Sequence, residues 1–164
     1  MIYTCTVDTP LGIMLASAEH DALTGLWFIG QKYYPKAVDT WTVCQNYAVF
    51  QSLRDWLEQY FAGKNLKPVI LLNPQGTAFQ KTVWEILQKI PYGKTLTYGE
   101  IAQQISGRQA AQAVGGAVGH NPISLLIPCH RVIGSAGSLT GYAGGIEKKK
   151  ALLEREQGIS GLAV

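Results

Sequence analysis

The sequence predicts an α+β protein built from two domains. Residues 2–29 show short alternating apolar and polar runs separated by turn residues, which is typical of an antiparallel sheet. From about residue 77 onward, apolar residues recur at helical spacing instead. Between these regions, Asn73-Pro74-Gln75-Gly76 has the composition of a linker. We therefore expect residues 1–74 to form a small antiparallel sheet with a flanking helix. Residues 75–164 are expected to form a mostly helical domain, a winged helix-turn-helix that carries Cys129.

The N-terminal domain is predicted to begin with three strands, at residues 2–7, 13–18 and 23–29. Pro10 and Gly12 supply the first turn, and a polar break at residues 19–21 supplies the second. Between residues 47 and 61 the apolar period changes to that of a helix, which Gly63 is expected to close. The apolar residues of this helix are Phe50, Leu53, Leu57 and Phe61.

The first helix of the C-terminal domain is predicted to start at Thr77. Thr77 and Gln80 have the spacing of a capping box, in which each side chain bonds the backbone N–H of the other residue. The helix is expected to run to Ile90 and to end in Pro91-Tyr92-Gly93. Its predicted apolar stripe consists of Phe79, Val83, Ile86, Leu87 and Ile90.

Residues 97–117 have the spacing of a helix-turn-helix. A short helix is expected over 97–105, followed by a turn at Ser106-Gly107 and a second helix from Arg108 or Gln109. Small residues dominate the second helix, although Gly115 and Gly116 each cost about 1 kcal/mol relative to alanine. This composition fits either a close approach to the narrow minor groove of DNA or tight helix packing inside the domain.

The last helix is expected over residues 146–157, after a Gly/Ser hairpin at 133–139 that would form the wing and a glycine-rich loop at 141–145. Lys149, Leu152, Leu153 and Glu156 share one face of this helix, whereas Glu154 and Arg155 fall outside it. The two charges need partners if that face is buried, because buried charge is costly when it is unpaired. Cys129 and His130 would be suitable partners; alternatively, both charges extend to solvent at the helix ends.

A cysteine beside a histidine stands at the end of an apolar run. Residues 125–127 are expected to form a buried strand or core segment, and Pro128 fixes the backbone where it ends. In one interpretation, Cys129 is an inert core thiol beside a surface histidine. In the other, His130 activates Cys129 as a nucleophile, which requires a turn for direct contact or a bridging water.

A larger pattern surrounds this pair. The run Pro128-Cys129-His130-Arg131-Val132, with Asn121-Pro122 before it and Gly141-Tyr142 after it, resembles the active-site signature of the O6-alkylguanine-DNA alkyltransferases. These proteins are also called methylated-DNA–protein-cysteine methyltransferases. The resemblance extends from Gly76 to Gly158, and more loosely over the N-terminal half.

The resemblance implies a single displacement, in which the Cys129 thiolate attacks the alkyl carbon on O6 of a damaged guanine in duplex DNA. His130 would take the thiol proton through a water, oriented by Glu156, and Tyr98 would donate a proton to the leaving guanine. The thioether that forms is stable, so each molecule would act once. O4-alkylthymine is a second substrate that the resemblance allows. Asn121 would brace the turn beneath the site, and Tyr142, Ala143 and Lys149 would complete the pocket.

The resemblance also implies DNA binding with flipping of the damaged nucleotide out of the duplex. The residues expected at the DNA are Ala110, Ala111, Gln112, Gly115 and Ser135. Gln112 departs from the family, which usually carries an arginine there that fills the gap left by the flipped base. Glutamine is shorter and neutral, so we expect weaker flipping and weaker DNA binding, but unaltered transfer chemistry.

The charge is distributed unevenly between the two halves. Residues 1–76 hold five Lys or Arg against six Asp or Glu, whereas residues 77–164 hold nine against five. The half with Cys129 thus carries the basic excess expected of a surface that meets phosphates. The three cysteines fit no CxxC metal pattern, so we expect no metal and no cofactor. We also expect a cytoplasmic monomer without membrane contact, nucleoid-associated if the protein is bacterial.

Three other functions remain open at this point. A damage sensor would bind alkylguanine without transferring the group, although relatives of that kind lack the acceptor cysteine. A Cys-His hydrolase or acyltransferase would turn over repeatedly and would need an oxyanion hole. A transcription factor would use the helix-turn-helix for sequence-selective binding.

Overall fold

The computed structural model describes residues 1–105 and 111–162. It divides the chain into two compact units, of which one covers Met1–Gln75 and the other begins at Gly76. The predicted boundary between residues 74 and 75 lies one residue away from this division. No helix in the described ranges is long and apolar enough to cross a membrane.

A four-stranded sheet forms the first unit. Strands β1 (Tyr3–Thr9), β2 (Gly12–Glu19) and β3 (Ala22–Phe28) are antiparallel, which confirms the three predicted strands. His20 and Asp21 form the two-residue turn between β2 and β3, and both have positive φ, at 51° and 62°. A type I′ hairpin turn requires positive φ at both of its central residues. A fourth strand, β4 (Thr42–Val43), pairs parallel with β1 and was not predicted, so the sheet is mixed, with the order β3-β2-β1-β4.

Helix α1 (Ala48–Phe61) packs against β1 and β2. Phe50, Leu53 and Leu57 are buried as predicted, whereas Tyr60 is buried in place of Phe61. Gly63 ends the helix in the left-handed region, with φ of 89°. The N–H of Gly63 bonds the carbonyl of Tyr60 at 3.0 Å and that of Lys64 bonds Gln59 at 3.1 Å, which is the Schellman pattern.

The second unit begins with helix α2 (Ala78–Gln88), and its capping box between Thr77 and Gln80 is present as predicted. Val83, Leu87 and Ile90 are buried, whereas Phe79 and Ile86 remain partly exposed. The stripe also includes Trp84, which was not predicted. Its indole N–H donates to the carbonyl of Ala117 at 2.9 Å and so ties α2 to the helix that contains Ala117.

Two short helices occupy the predicted helix-turn-helix. Helix α3 (Tyr98–Gln104) is capped by Thr97 and Glu100 in a second capping box, which was not predicted. Helix α4 is described as Ala111–Gly119 and buries Val114, Ala117 and Val118. The predicted turn at Ser106-Gly107 and the residues Arg108, Gln109 and Ala110 lie outside the described residues.

A two-stranded parallel sheet and one long helix complete this unit. Strand β5 (Leu96–Thr97) pairs with β6 (Val132–Ile133). In the predicted wing, only the first arm contains a strand, β6. After β6 the chain turns back, and the Gly134 N–H donates to the Ser138 carbonyl at 2.9 Å. Helix α5 (Ile146–Gln157) has the predicted bounds, and its buried face consists of the four predicted residues, Lys149, Leu152, Leu153 and Glu156.

Candidate active site

The segment before Cys129 is buried core and not a strand, so the core-segment alternative of the prediction is confirmed. Leu125 has a φ of 71°, and the N–H of Leu126 bonds the carbonyl of Ser124 at 2.9 Å, which forms a strained γ-turn. Pro128, with φ −78° and ψ 67°, lies at the centre of an inverse γ-turn in which the Cys129 N–H bonds the Ile127 carbonyl at 2.7 Å. The apolar run is therefore core, folded into two tight turns.

The Asn121 side chain supports this irregular loop from within. Its amide Nδ2 donates to the carbonyls of Ile127 at 2.8 Å and Ile123 at 3.3 Å, and its Oδ1 accepts from the Ile123 N–H at 3.0 Å. The side chain thus satisfies backbone groups that a strand would have paired with a neighbouring strand. Asn121 is itself buried and lies beneath the turn that presents Cys129.

Cys129, His130 and Arg131 form one turn of 3₁₀-helix directly after Pro128. Both Cys129 and His130 are buried, with the His130 side chain fully inaccessible, so the surface-histidine interpretation is wrong. His130 Nε2 lies 2.6 Å from Glu156 Oε2 on the buried face of α5. The structure therefore pairs the predicted histidine with the predicted glutamate, and this histidine directly follows the predicted cysteine in the chain.

Arg131 completes the pairing of Glu156. Its Nε donates to Glu156 Oε1 at 2.7 Å and its guanidinium also reaches Oε2 at 3.1 Å, a bidentate arrangement. A further bond to the carbonyl of Ile90 at 2.7 Å and the ring of Tyr92, 5.8 Å away, hold the guanidinium in place. Arg131 was not among the predicted site residues. The sequence did contain a signal for such a role: a glutamate on a face predicted to be buried needs a cation beside it, and a neutral histidine cannot supply that charge.

The ionisation of Glu156 determines the tautomer of His130. Burial alone raises the pKa of Glu156, but the hydrogen bonds and charges of His130 and Arg131 outweigh it and hold that pKa well below its usual range. Burial lowers the pKa of His130 more than Glu156 raises it, so the imidazole is neutral at pH 7. Because Glu156 is an anion, Nε2 carries the imidazole proton. Nδ1 is then a bare acceptor, buried and without a hydrogen-bond partner among the described residues.

Lys149 provides a positive charge for the cysteine. Burial raises the pKa of the Cys129 thiol, and interactions with Asn121, Lys149 and Tyr142 oppose that rise. Lys149 is fully buried, with its Nζ 3.2 Å from the carbonyl of Thr140 and 3.5 Å from that of Gly141, so it does not extend to solvent. Burial lowers its pKa to about 8, and a thiolate at Cys129 favours its charged form.

The remaining predicted pocket residues lie on the loop before α5. The Tyr142 hydroxyl is buried close to Cys129 and Ser124, and burial raises its pKa well above the usual value. It makes no hydrogen bond of good geometry with the described residues. Ala143, the next residue, is partly exposed. Tyr98, the first residue of α3, accepts a hydrogen bond from the Thr140 hydroxyl at 2.9 Å.

Several of the residues predicted at the DNA lie on an exposed part of α4. Ala111 and Gln112 are exposed and Gly115 is partly exposed, while Ser135 is exposed in the turn after β6. A Cβ added at Gly116 would meet nothing within 4 Å, and one at Gly115 would only touch the Tyr98 ring at 3.8 Å. Packing among the described residues therefore does not require either glycine, which disfavours the tight-packing explanation. Ala110 lies outside the described residues.

No group of three or more His, Cys, Asp or Glu that could hold a metal ion occurs within residues 1–105 and 111–162. Near Cys129, His130 and Arg131 are instead bonded to Glu156, and Lys149 is bonded to a backbone carbonyl. Their arrangement can keep a cysteine close to a neutral base and a cation, which are the two aids that a thiol nucleophile needs near pH 7.

Comparison with known proteins gives matches over both units. Residues 78–158 match the family described as 6-O-methylguanine DNA methyltransferase, DNA binding domain, and residues 1–70 match its ribonuclease-like domain. A methylated-DNA–protein-cysteine methyltransferase of Mycobacterium bovis is 46% identical over 157 residues, which cover 96% of this chain and 93% of that protein.

Solved structures agree with this match. The crystal structure of the O6-methylguanine methyltransferase of Mycobacterium tuberculosis superposes with a TM-score of 0.88 and 44% identity, covering 99% of this chain and 97% of that one. A Mycobacterium tuberculosis protein, OGT, in complex with DNA has the same TM-score and identity over 95% of this chain and 93% of its own.

Proposed function

This chain belongs to the 6-O-methylguanine DNA methyltransferase family and repairs DNA by alkyl transfer, and on that premise we propose that Cys129 is the acceptor. The substrate is O6-alkylguanine in duplex DNA, with O4-alkylthymine as a second lesion of the same kind. Each molecule acts once, because the cysteine leaves the reaction as a stable thioether. The protein acts as a monomer in this proposal.

One observation carries this proposal: the neutral, fully buried His130 follows Cys129 in a single 3₁₀ turn and has a bare Nδ1. Its other nitrogen is engaged by Glu156 at 2.6 Å, which fixes the ring and favours the imidazolium that forms when Nδ1 accepts a proton. Arg131 keeps Glu156 ionised, since it donates to both carboxylate oxygens. An inert core cysteine needs none of this arrangement.

The proposed reaction is a single displacement at the alkyl carbon. The proton of the Cys129 thiol passes to His130 Nδ1, through a water in the proposed geometry, and the sulfur forms a bond to the alkyl carbon. The bond between that carbon and O6 breaks, and its electron pair remains on the guanine. Tyr98 donates its phenolic proton to a ring nitrogen of the departing base, and the proton on His130 returns to the tyrosinate through solvent.

Lys149 serves the first of these steps. A thiolate in a buried site is costly, and a fixed ammonium close by offsets that cost. The carbonyls of Thr140 and Gly141 hold the ammonium in place, while Tyr142 and Asn121 interact with the thiolate. Ala143 contributes backbone to the same pocket.

The DNA-binding part of the proposal concerns α4. A base inside a duplex cannot reach a buried sulfur, so the nucleotide is flipped at a cost of a few kcal/mol. The minor groove is only about 6 Å wide, which suits a helix surface of small residues. Among the described residues, the exposed Ala111 and the two glycines that packing does not require supply such a surface, with Ser135 as a further contact. Ala110 remains a predicted contact. Gln112 occupies the place from which the extruding side chain enters the duplex.

Substitution of the acceptor provides the direct test. Cys129→Ala is expected to abolish alkyl transfer from an O6-methylguanine duplex while DNA affinity stays within a few fold, because the thiol contributes nothing to phosphate contacts. Transfer is measured by mass spectrometry and affinity by fluorescence anisotropy. Cys5 and Cys44 are internal controls, since methylation of either in the variant would contradict the assignment. Binding of the duplex by the wild-type protein without transfer would indicate a damage sensor.

A further inference from the structure

Thr140 joins two groups of the proposed site without belonging to the residues that react. Its hydroxyl donates to the Tyr98 hydroxyl oxygen at 2.9 Å, and its backbone carbonyl accepts from Lys149 Nζ at 3.2 Å. The residue lies between the wing turn and the glycine-rich loop, in a stretch that has no regular secondary structure. One short segment thus contacts both the proposed proton donor and the proposed counter-charge.

Local packing restricts the Thr140 side chain. Its N–H bonds the carbonyl of Ser138 at 3.1 Å, around the buried Leu139, which fixes the backbone. A Cβ on Gly134 would lie only 3.0 Å from the Thr140 methyl group, so the glycine leaves room for the β-branched side chain. Because β-branched side chains have few χ1 choices, a held backbone also holds the hydroxyl.

We propose that Thr140 is a positioning residue for alkyl transfer, whose hydroxyl bond to Tyr98 leaves the Tyr98 proton available for the departing guanine. This inference rests on the proposed function. A phenol has one proton to donate, and when its oxygen is occupied by a donor, that proton has to point elsewhere. The same hydrogen bond strengthens as Tyr98 gives up its proton and its oxygen gains negative charge.

The variant Thr140→Val removes the hydroxyl and preserves the branched shape. We expect it to slow the labelling of Cys129 by O6-benzylguanine by roughly three- to tenfold, the value of one hydrogen bond. Thr140→Ser is expected to restore most of the rate. In a Tyr98→Phe background, Thr140→Val should cause no further loss, because the group on which it acts is absent. Full additivity of the two losses would overturn the proposal.

An electrophile with a different leaving group distinguishes positioning from a general structural role. Iodide leaves without a proton, so alkylation of Cys129 by iodoacetamide should proceed at the same rate in wild type and Thr140→Val. Equal slowing with both reagents would place the effect at Lys149 or at the loop and would contradict the inference. Failure of wild type to react with O6-benzylguanine would instead contradict the proposed function.

An independent observation concerns the two cysteines of the first unit. In the parallel pair of β1 and β4, Tyr3 lies opposite Thr42 and Thr4 lies opposite Val43. The Cys44 N–H bonds the Thr4 carbonyl at 2.9 Å, so the ladder continues beyond Val43. The next residues in register are Cys5 and Cys44. Neighbouring strands lie about 4.8 Å apart, which is within the Cα separation that a disulfide spans.

The surroundings give these two thiols unequal access. Cys5 is 2% exposed, and its burial raises its pKa to about 11 although Arg54 bonds to it and lowers that pKa. Cys44 is partly exposed. The two thiols are close enough for a charge on Cys44 to raise the pKa of Cys5. An oxidant from solution therefore meets Cys44 first.

We infer that Cys5 and Cys44 form a reversible disulfide in the presence of a small disulfide such as oxidised glutathione. The Cys44 thiolate attacks one sulfur of glutathione disulfide, and one glutathione thiolate leaves. The Cys5 thiolate then attacks the Cys44 sulfur of this mixed disulfide and releases the second glutathione. The two protein thiols lose two electrons and two protons, and one glutathione disulfide becomes two glutathione thiols.

A Cys129→Ser background leaves only these two thiols for the test. After exposure to oxidised glutathione, the intact mass should fall by two hydrogen atoms, and peptides with Cys5 and Cys44 should be linked. An additional Cys5→Ser change should trap glutathione on Cys44, whereas Cys44→Ser should leave the protein unmodified. Persistent glutathione on Cys44 when Cys5 is present, or glutathione on Cys5, would overturn the inference.

Discussion

Glu156 is the residue on which the proposed chemistry most depends, because two different side chains share its carboxylate. Arg131 binds both oxygens and His130 binds one of them at 2.6 Å. Arg131 supplies the positive charge that keeps the carboxylate ionised in a buried site, and the carboxylate in turn fixes the proton on His130 Nε2. Replacement of Glu156 therefore affects both the reaction and the stability.

We predict that Glu156→Gln slows the reaction of Cys129 with O6-benzylguanine by roughly 10²-fold, since the imidazolium loses its counter-charge. The exposed Glu147 at the start of α5 provides a matched control, and Glu147→Gln should react at the wild-type rate. Labelling followed with time by mass spectrometry measures both rates. An unchanged rate in Glu156→Gln would show that this face of α5 serves packing alone.

The same carboxylate predicts a pH dependence of stability. The folded protein holds the pKa of Glu156 well below its unfolded value of about 4.3. The resulting stabilisation is complete above that unfolded value and is lost as pH falls toward the folded pKa. Urea unfolding at several pH values from about 5 downward should show a steeper loss of unfolding free energy in wild type than in Glu156→Gln. Parallel curves would contradict the assigned ionisation.

The sequence predicted some of these residue contacts but not others. The spacing of Lys149, Leu152, Leu153 and Glu156 was enough to identify the buried face of α5, since a helix period can be read from local sequence. The bond between Arg131 and Glu156 joins residues 25 positions apart, and the bond between Thr140 and Tyr98 joins residues 42 apart. The spacing of residues along the chain does not predict contacts between side chains so far apart in sequence, because those contacts depend on the tertiary fold.

At the scale of elements, packing among the described residues does not explain the glycine-rich composition of α4. Gly115 and Gly116 weaken the helix, yet a side chain at either position would fit among the described residues. A helix that keeps glycine where alanine would fit is best explained by a surface that has to approach another molecule closely.

Gly116→Ala is therefore predicted to stabilise the protein by about 1 kcal/mol and to weaken binding to an O6-methylguanine duplex. The exposed Gly99 in α3 offers a matched control, because a Cβ there meets only Thr97 Oγ1 at 3.9 Å. Gly99→Ala should stabilise to a similar extent without loss of DNA affinity. Thermal unfolding and anisotropy measure the two effects. Unchanged DNA affinity in Gly116→Ala would refute close approach at this position.

Gln112 leads to a prediction about base flipping. If residue 112 acts only at extrusion, Gln112→Arg should react with free O6-benzylguanine at the wild-type rate. On duplex DNA the longer, charged side chain should tighten binding, speed repair and steepen the salt dependence by up to about one unit of slope. An equal gain on the free base would place residue 112 in the reaction pocket. No change on the duplex would indicate that another residue, such as Arg108, already extrudes the base.

Helices and long strands were predictable from the sequence, whereas the two-residue strands were not. The three strands of the hairpins and helices α1, α2 and α5 each contain enough residues to show a period. Strands β4, β5 and β6 have two residues each, which is too few for any period. For residues 125–127, the sequence left a buried strand and a core segment both open, because an apolar run has the same composition in a buried strand and in a buried turn.

At the scale of the whole molecule, the two units have separate characters. The sheet unit carries no excess of positive charge, whereas the helical unit holds the basic excess and every residue of the proposed reaction. Both units match the same family, one to its ribonuclease-like domain and the other to its DNA-binding domain. The central claim is that the helical unit consumes one cysteine, Cys129, for each lesion repaired.

Intact-protein mass spectrometry with an excess of O6-methylguanine duplex tests that claim most directly. The account predicts that each protein molecule gains a single methyl group, that peptide mapping locates it on Cys129, and that repaired guanine never exceeds the amount of protein. Repeated turnover, an unmodified protein after repair, or a methyl group on Cys5 or Cys44 would contradict it.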